Sequence, residues 1–192
     1  ARLDSKIDNI SVYEARIRGG ATLAKTYPVD ADLVCGVPDS GLASAKGYSE
    51  ESGIPFGLAF HKNSYVGRTF IKPTQKERES SVKIKLSVLE SVVKGKRIVL
   101  VDDSIVRGTT ISNLITMLRK AGATEVHVRI SSPPFLYPCY FGTDVPSNKQ
   151  LIASSHSTEE IRQQIGADSL GYMPIEELLN MVGDLPICRA CF

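Results

Sequence analysis

Two adjacent aspartates, Asp102 and Asp103, are the side chains whose position in the sequence most strongly indicates chemistry. They follow an apolar run, residues 98–101, and precede a short loop that leads into an amphipathic pattern. Neighbouring carboxylates repel each other, and ionised aspartate only accepts hydrogen bonds, so the pair requires hydrogen-bond donors or a cation. The vicinal hydroxyls of a sugar are suitable donors, and a divalent cation would reduce the repulsion.

The loop after these aspartates, residues 104–110, has the composition of a phosphate-binding site. A helix N-terminus presents unpaired backbone N–H groups and the positive end of a dipole. Gly108 allows a ligand to approach the backbone closely, and Ser104, Thr109 and Thr110 add hydroxyl donors. The loop and the carboxylates together suit a ribose 5-phosphate, whereas the alternative is an ordinary turn with a solvated acidic corner. The sequence contains neither G-x-x-x-x-G-K-[ST] nor G-x-G-x-x-G.

The elements that must position these residues alternate between strand and helix patterns. Such alternation favours a parallel sheet with crossover helices, in which ligands bind at the carboxyl ends of the strands. We therefore predict an α/β fold, with a mostly parallel sheet flanked by helices, in one domain spanning residues 1–192. The patterns predict strands at 32–37, 55–60, 97–103 and 125–131, and helices at 11–27, 41–53, 83–95, 109–122, 157–166 and 174–183.

Two segments depart from this alternation. Residues 61–74 mix Gly, Pro, Asn and basic side chains without a clear period, which predicts a long flexible loop. Residues 133–192 hold the last two helical patterns and three of the four cysteines. This part of the chain is predicted to form a small helical cap with a cysteine-bearing tail.

The overall composition is that of a globular protein, since 42% of the 192 residues are hydrophobic and the net charge is +2. No apolar run approaches the roughly 20 residues that cross a bilayer, so we expect a cytoplasmic protein without a membrane partner. Residues 62–97 carry ten Lys and Arg against three acids. Such a segment favours an anionic small ligand or a nucleic-acid contact, and the alternative is a solvated charged face.

Four stretches of the sequence together resemble a known family. The stretch "VLVDDSIVRGTT" resembles the signature with which type I phosphoribosyltransferases bind 5-phosphoribosyl-1-pyrophosphate (PRPP). Combined with "GVPDSG", "KNSYVGRTFIKPTQKERESSVKIKL" and "SSPPFLYPCYFGTD", it is similar to the amidophosphoribosyltransferases, the glutamine PRPP amidotransferases. The resemblance covers the whole chain and implies the type I phosphoribosyltransferase fold, with Mg²⁺ as a cofactor.

The resemblance assigns roles at both ends of the sugar. Ser40, Asp102 and Asp103 would bind Mg²⁺, and residues 38–41 would receive the pyrophosphate, although a turn of this sequence alone more commonly caps a helix. A lid formed by the basic loop would exclude water, and Arg68 on it would meet the pyrophosphate. The implied catalytic residues are Arg68, Asp102 and Asp103. The implied substrate-binding residues are Asp39, Ser40, Gly41, Lys62, Tyr65, Lys85, Asp102, Asp103, Ser104, Ile105, Val106, Arg107, Gly108, Thr109 and Thr110.

Three cysteines form a second candidate site. Cys139, Cys188 and Cys191 are soft ligands that suit Zn²⁺ or an iron–sulfur cluster. Cys35 lies in an apolar run, which indicates a small buried side chain. The resemblance implies a [4Fe–4S] cluster whose fourth ligand precedes "ARLDS". We therefore expect the three thiols to converge without a complete cluster.

The resemblance implies transfer of the phosphoribosyl group of PRPP to ammonia, which gives 5-phosphoribosylamine and pyrophosphate in the first step of de novo purine synthesis. It also implies a glutaminase domain that frees ammonia from glutamine, purine nucleotides as feedback inhibitors, and a homo-oligomer. Since this sequence has no glutaminase half, we expect the isolated synthase half, without a nucleic-acid partner. Two alternatives stay open: a nucleobase phosphoribosyltransferase and a non-catalytic, PRPP-binding regulator.

Overall fold

A parallel β-sheet lies at the centre of the computed structural model, which describes residues 2–63, 86–139, 141, 150–183 and 185–192. Short 3₁₀ helices at Ile152–Ser154 and Ile175–Glu177 accompany the main elements. In chain order, these elements are β1 (Lys6–Ile7), β2 (Ile10–Ser11), α1 (Val12–Thr26), β3 (Leu33–Gly36), α2 (Leu42–Ser52), β4 (Phe60–Lys62), β5 (Leu86–Val88), α3 (Glu90–Val93), β6 (Arg97–Asp102), α4 (Thr109–Lys120), β7 (Glu125–Ile130), α5 (Thr158–Ile165), β8 (Ser169–Tyr172) and α6 (Leu178–Val182).

Strands β3, β6, β7 and β8 form the central sheet in that spatial order, and every neighbouring pair is parallel. The register pairs Gly36 with Val101 and Asp102 with Ile130, so the carboxyl ends of β3, β6 and β7 meet at one edge. Strand β6 is buried along almost its whole length, as expected at the centre of a parallel sheet with both faces covered. The predicted α/β fold with a mostly parallel sheet is confirmed.

Helices cover both faces of the sheet, and each face has its own apolar core. Burial of these side chains is the main favourable contribution to folding. One core combines α1, α2 and α6 with the strands, through Leu23, Tyr48, Leu178, Val99 and Val101. The other combines α4 and α5 with the strands, through Leu114, Leu118, Ile161, Leu100 and Val128.

Helices α1 and α2 pack against each other at glycines. A Cβ on Gly20 would lie 1.8 Å from the carbonyl oxygen of Ser44, and a Cβ on Gly47 would lie 2.0 Å from that of Ile17. Because these distances are far below van der Waals contact, the two backbones approach this closely only where a side chain is missing. This contact fixes the position of α1 relative to α2, which begins at the candidate site.

The predicted ends of α1 and α2 agree with the structure. The Ser11 hydroxyl accepts a hydrogen bond from the Glu14 backbone N–H at 3.3 Å, which caps the start of α1. Gly53 follows α2 with a φ of 74°, a left-handed conformation that glycine adopts without steric cost. The start at residue 11 and the end at residue 53, as predicted from the sequence, therefore agree with these two boundaries.

A helix was predicted over residues 83–95, but this prediction is wrong for residues 86–88, where the structure has a strand. Strand β5 pairs there with β4 in antiparallel orientation, and only the single turn α3 follows. Leu86 and Val88 flank Ser87, and this period of two is typical of a strand. The predicted strand at 55–60 is also largely wrong, since Phe56 forms an isolated bridge with Val34 and β4 begins at Phe60.

Strand β8 was not predicted from the sequence. It pairs with β7 and is a strand of the central sheet, so residues 133–192 contribute more than a helical cap and a tail. The strand has only four residues and includes Gly171, which weakens the strand pattern. A Cβ at Gly171 would lie 2.7 Å from the ring of Tyr27, so the glycine allows the end of α1 to pack on β8.

The predicted flexible loop at 61–74 lies outside the described residues after Asn63. His61 and Lys62, which the loop was predicted to include, belong to β4 instead. Among the described helices, none combines the length and the hydropathy of a membrane span.

Candidate active site

The carboxylate pair lies at the carboxyl end of β6. Asp102 is buried, with 8% of its surface exposed, and Asp103 is partly buried. The Oδ1 atom of Asp102 accepts hydrogen bonds from the Asp103 backbone N–H at 2.8 Å and from the Ser40 hydroxyl at 3.2 Å. Burial, followed by the negative charge of Asp103, raises the pKa of Asp102 to about 7 in spite of these donors. A ligand that supplied a cation or hydroxyl donors would therefore stabilise the ionised pair.

The loop of residues 37–41 approaches Asp102 from the end of the neighbouring strand β3. The Val37 N–H donates to the Val101 carbonyl at 2.9 Å, and the Gly41 N–H donates to the Val37 carbonyl at 2.8 Å. A Cβ on Gly41 would lie 2.2 Å from the Val101 carbonyl oxygen, so only glycine lets α2 begin this close to β6. This tight turn brings the Ser40 hydroxyl onto Asp102.

Two cations outside this loop contact it. The Lys62 ammonium of β4 forms an ion pair with the Asp39 carboxylate, and the Arg16 guanidinium of α1 donates to the Ser40 carbonyl. The turn between these contacts contains a cis peptide bond, Pro38–Asp39. Lys62 was predicted from the resemblance, whereas Arg16 was missed because polar residues of an amphipathic helix indicate only a solvent-exposed face.

The loop of residues 104–108 leads from the carboxylate pair into α4. Gly108 adopts a φ of 79° immediately before the helix, a conformation that favours glycine. Thr109 and Thr110 form the exposed start of α4, which carries no acidic residue in its first turn. The positive end of the helix dipole and two exposed hydroxyls therefore lie at the end of this loop, an arrangement that favours an anion such as phosphate.

Residues from the C-terminal region anchor this loop. Ile105 is buried in the core, and the Val106 carbonyl accepts a hydrogen bond from the Ile152 N–H at 2.9 Å. The Arg107 guanidinium donates to the Gln150 side-chain oxygen. These contacts restrict the backbone of the loop before any ligand binds.

The structure brings the described members of the predicted site to one edge of the sheet. The Ser104 hydroxyl donates to Asp103 Oδ1 at 3.2 Å, which continues the chain of contacts from Ser40 through Asp102. Ser131 donates its N–H to the Asp102 carbonyl at 3.0 Å. It begins the stretch "SSPPFLYPCYFGTD", but no role in the site was predicted for it. The remaining predicted residues, Tyr65, Arg68 and Lys85, lie outside the described part of the chain.

The donor set of the pair suits magnesium. The carboxylates of Asp102 and Asp103 and the Ser40 hydroxyl are hard oxygen ligands, which Mg²⁺ prefers. Across the described ranges, no group of three or more His, Cys, Asp or Glu side chains could hold a metal ion by itself. Mg²⁺ commonly completes its shell with water and substrate oxygens, so the pair fits an ion that a phosphorylated ligand shares.

The cysteines of the C-terminal region approach one another. Burial, then the nearby thiols of Cys139 and Cys188, raises the pKa of Cys191. The Cys191 carbonyl accepts hydrogen bonds from the N–H groups of Leu136 and Tyr137, which ties the tail to the segment before Cys139. A [4Fe–4S] cluster takes four cysteine ligands, and these three do not form a metal-binding group within the described residues.

Cys35, by contrast, is fully buried in β3. Burial raises the pKa of its thiol to about 12, which keeps the side chain neutral and apolar. The interpretation of Cys35 as a small core residue agrees with this environment.

Comparison with known proteins assigns this architecture to a family. The phosphoribosyl transferase domain family matches residues 8–131, a range that contains both loops and the carboxylate pair. The chain belongs to the phosphoribosyl transferase domain family. The predicted type I phosphoribosyltransferase fold is thereby confirmed.

The sequence of this phosphoribosyl transferase domain is similar to amidophosphoribosyltransferases over its whole length. It is 56% identical to that of Methanocaldococcus jannaschii over 191 residues and 54% identical to that of Bacillus subtilis over 198 residues. The alignments cover 100% of this chain but 41% and 42% of those proteins, so the chain spans about two fifths of their length. The resemblance to this group of enzymes, inferred from the motifs, is confirmed.

Solved structures show the same relationship. A structure described as the allosteric regulatory enzyme of purine biosynthesis superposes with a TM-score of 0.90 at 55% identity, covering 100% of this chain and 43% of its own. The glutamine PRPP amidotransferase of B. subtilis complexed with ADP and GMP superposes with a TM-score of 0.88 at 55% identity, covering 100% of this chain and 42% of its own.

Proposed function

We propose that this phosphoribosyl transferase domain transfers the phosphoribosyl group of PRPP to ammonia, giving 5-phosphoribosylamine and pyrophosphate. The observation that carries the proposal is the position of the Asp102–Asp103 pair between the 37–41 loop and the 104–110 loop, at one edge of the sheet. The identity of about 55% to amidophosphoribosyltransferases supports ammonia as the acceptor. The reaction is the first step of de novo purine synthesis.

Each end of PRPP has a complementary loop in this proposal. The 5-phosphate binds residues 104–110, where N–H groups and hydroxyls at the start of α4 donate to its oxygens. The ribose hydroxyls donate to the carboxylates of Asp102 and Asp103, which can only accept while ionised. The pyrophosphate binds the turn of residues 38–41. One extended ligand thus satisfies anion-binding and proton-accepting groups that no simple phosphate would satisfy together.

The chemical step depends on positioning and on charge. The ammonia nitrogen forms a bond to C1 of the ribose while the bond from C1 to the pyrophosphate oxygen breaks, and the new amine then loses a proton. Ammonia is already nucleophilic, so the site needs no general base. Bound Mg²⁺, held by Asp102, Asp103 and Ser40 with the substrate, would neutralise charge on the pyrophosphate. The residues of this chain hold C1 and the pyrophosphate in line with the attacking nitrogen and restrict the rotation of the bound ligand.

Arg68, Lys62, Tyr65 and Lys85 belong to the same proposal as contacts of a lid. Arg68 would meet the leaving pyrophosphate, and a closed lid would protect the oxocarbenium-like transition state from water. The ion pair between Lys62 and Asp39 supports this arrangement, because it joins the strand before the lid segment to the pyrophosphate turn.

Further features belong to the proposal at the level of the whole protein. Ammonia would come from glutamine through a glutaminase domain of the same protein, and the protein would act as a cytoplasmic homo-oligomer. Purine nucleotides would inhibit it, in keeping with the ADP and GMP bound to the B. subtilis relative. A [4Fe–4S] cluster would take three of its ligands from Cys139, Cys188 and Cys191. Its fourth ligand would be a further residue outside this set.

Pyrophosphate release from PRPP tests the proposed reaction. The chain is incubated with Mg²⁺ and PRPP together with ammonium, hypoxanthine, guanine or no acceptor, and phosphoribosylamine is trapped as it forms. We expect release with ammonium and at least tenfold less with the other additions. Asp103→Asn should lower the rate by 100-fold or more, because it removes an ionised acceptor of the ribose hydroxyls. Asp30→Asn, an exposed carboxylate at the opposite end of the sheet, is the matched control and should retain the rate.

Two outcomes would contradict the proposal. Release with a purine base but not with ammonium would identify a nucleobase phosphoribosyltransferase. Tight binding of PRPP without release in the presence of any acceptor would identify a PRPP-binding regulator.

A further inference from the structure

Arg16 of α1 lies outside both loops of the site, yet its side chain contacts one of them, the 37–41 loop. Its guanidinium donates to the backbone carbonyl of Ser40, 24 positions away in the sequence, and the side chain is partly buried. The cation is also near enough to Asp102 to favour the ionised form of that carboxylate. Arg16 therefore lies between the turn of residues 38–41, which it contacts, and the carboxylate of Asp102.

The residue that Arg16 contacts is held from two sides. Arg16 binds the Ser40 carbonyl, while the Ser40 hydroxyl donates to Asp102 Oδ1 at 3.2 Å. These two contacts fix the peptide plane after Ser40 and the direction of its hydroxyl. An arginine suits this task because its planar guanidinium is always charged and its donors have a fixed geometry. The contact would also oppose displacement of the turn when a highly charged ligand enters.

We propose that Arg16 is a positioning residue for the pyrophosphate end of PRPP, acting through the Ser40 carbonyl to keep the 38–41 turn in its binding conformation. This inference rests on the proposed function, because it assigns a role within the same site. The step that it affects is ground-state binding of the diphosphate and its ion. Arg16 affects the binding of ammonia much less. The same holds for the 5-phosphate, which binds the 104–110 loop.

A neighbouring arginine supplies a matched control for this role. Arg18 lies two residues further along α1, and its guanidinium donates to the Met181 carbonyl at 2.7 Å and 2.9 Å. Like Arg16, it ties α1 to the backbone of another element, but that element is α6 and not the candidate site. If arginines of α1 only stabilise the fold, then replacing either one should have the same consequences.

Steady-state kinetics and calorimetry of the full-length protein, with ammonium as the nitrogen donor, test the proposal. We expect Arg16→Gln to raise the KM for PRPP and the Kd for PRPP with Mg²⁺ by about 10- to 100-fold, because a charged hydrogen bond is lost. The KM for ammonium should change less than about threefold. Arg16→Lys keeps the charge without the planar guanidinium. Its KM and Kd for PRPP should therefore be up to about tenfold lower than those of Arg16→Gln. Arg18→Gln should leave all of these constants within about twofold.

The results separate this inference from the proposed function. If Arg16→Gln and Arg16→Lys both bind PRPP as the unchanged protein does, the positioning role is wrong and the proposed function stands. Equal losses in Arg16→Gln and Arg18→Gln would also contradict the role, since they would indicate a common effect on folding. If the unchanged protein does not bind PRPP with Mg²⁺, the proposed function fails and the inference fails with it.

Discussion

At the scale of a single residue, the buried charge of Asp102 lowers the stability of the protein, whereas ligand binding needs that charge. The protein buries this carboxylate beside a second one, and burial raises its pKa to about 7. As the pH rises through neutrality, the folded chain without ligand must therefore carry the negative charge of Asp102 in a buried position. In the unfolded chain the same charge is hydrated. The hydrogen bonds from Ser40 and from the Asp103 N–H offset only part of this cost. The buried charge of Asp102 therefore destabilises the proposed binding site while no ligand occupies it.

Replacing Asp102 by asparagine should stabilise the ligand-free protein while abolishing Mg²⁺-dependent PRPP binding. Between pH 4 and 7 the folded chain binds more protons than the unfolded chain at this site, so the free energy of unfolding falls as pH rises. Asp102→Asn should therefore match the unchanged protein near pH 4 and exceed it at pH 8, by at most about 4 kcal/mol. Urea denaturation at several pH values measures the difference.

The exposed carboxylate of Asp30 again provides the control. Asp30→Asn should follow the pH dependence of the unchanged protein between pH 4 and 8 within about 0.5 kcal/mol, as an exposed ion pair contributes little. A constant offset between Asp102→Asn and the unchanged protein over this range would show that burial does not govern the titration of Asp102.

The site residues that belong to local motifs could be predicted from the sequence alone. Asp102, Asp103 and Ser40 stand in turns whose residue types and spacing are informative without a structure. Arg16 and Ser131 were missed because their contacts join segments far apart in the chain, and neither residue type indicates such a contact by itself. Side chains that act on a site through tertiary contacts leave little signal in a single sequence.

Elements with a strong period were predicted correctly, whereas several of the short strands were not. Strand β6 and helix α4 have continuous or amphipathic apolar patterns, and their positions in the structure agree with the prediction. Strands β4, β5 and β8 have three or four residues each, and their pairing depends on partners distant in the sequence. Tertiary context therefore decided the elements for which local preference was weak.

The close approach of α1 and α2 makes a prediction at the scale of elements. Gly47→Ala should lower the free energy of unfolding by about 2–4 kcal/mol, because its Cβ would lie 2.0 Å from the carbonyl oxygen of Ile17 and the helices would have to separate. Chemical denaturation monitored by circular dichroism measures this loss.

Gly166 is a suitable comparison for Gly47. It follows α5 with a φ of 77°, and no atom lies within 4 Å of a Cβ added there. Gly166→Ala should cost only about 1 kcal/mol, the penalty of a left-handed backbone. If the two substitutions had equal effects, contact between α1 and α2 would not be the reason for Gly47.

The whole molecule forms its site between two layers of helices. The 37–41 loop leads into α2 on one face of the sheet, and the 104–108 loop leads into α4 on the other. A ligand that spans both loops would connect the layers as well as the strand ends. Ligand binding and global stability should therefore be linked in this domain.

Saturating Mg²⁺ and PRPP should raise the melting temperature of the chain. At 100 times the Kd the stabilisation is about 2.7 kcal/mol, which corresponds to roughly 5–10 °C for a domain of this size. Gly108→Ala should lose most of this shift, since its φ of 79° disfavours alanine and a Cβ would lie 3.0 Å from Ile152 Cδ1. Differential scanning fluorimetry with and without ligand measures both values.

Gly53→Ala distinguishes loss of binding from loss of stability. Gly53 also has a left-handed conformation, with a φ of 74°, but it follows α2 at the other end of the helix from the site. The variant should melt a few degrees lower than the unchanged chain and keep the full shift with ligand. If Gly53→Ala also lost the ligand-induced rise in melting temperature, that rise would not report on the 104–110 loop.

Strand β8 determines where this unit can be divided from neighbouring sequence. The family match ends at Ser131, immediately after β7, whereas β8 and α5 come later in the chain. A polypeptide cut at the end of the match would expose the hydrogen-bonding groups of β7 and part of an apolar core, the kind of open border through which separate molecules associate. The smallest portable unit therefore extends beyond Met173, whose N–H bonds the carbonyls of Ile130 and Ser132, and includes α6, whose Leu178 lies in an apolar core.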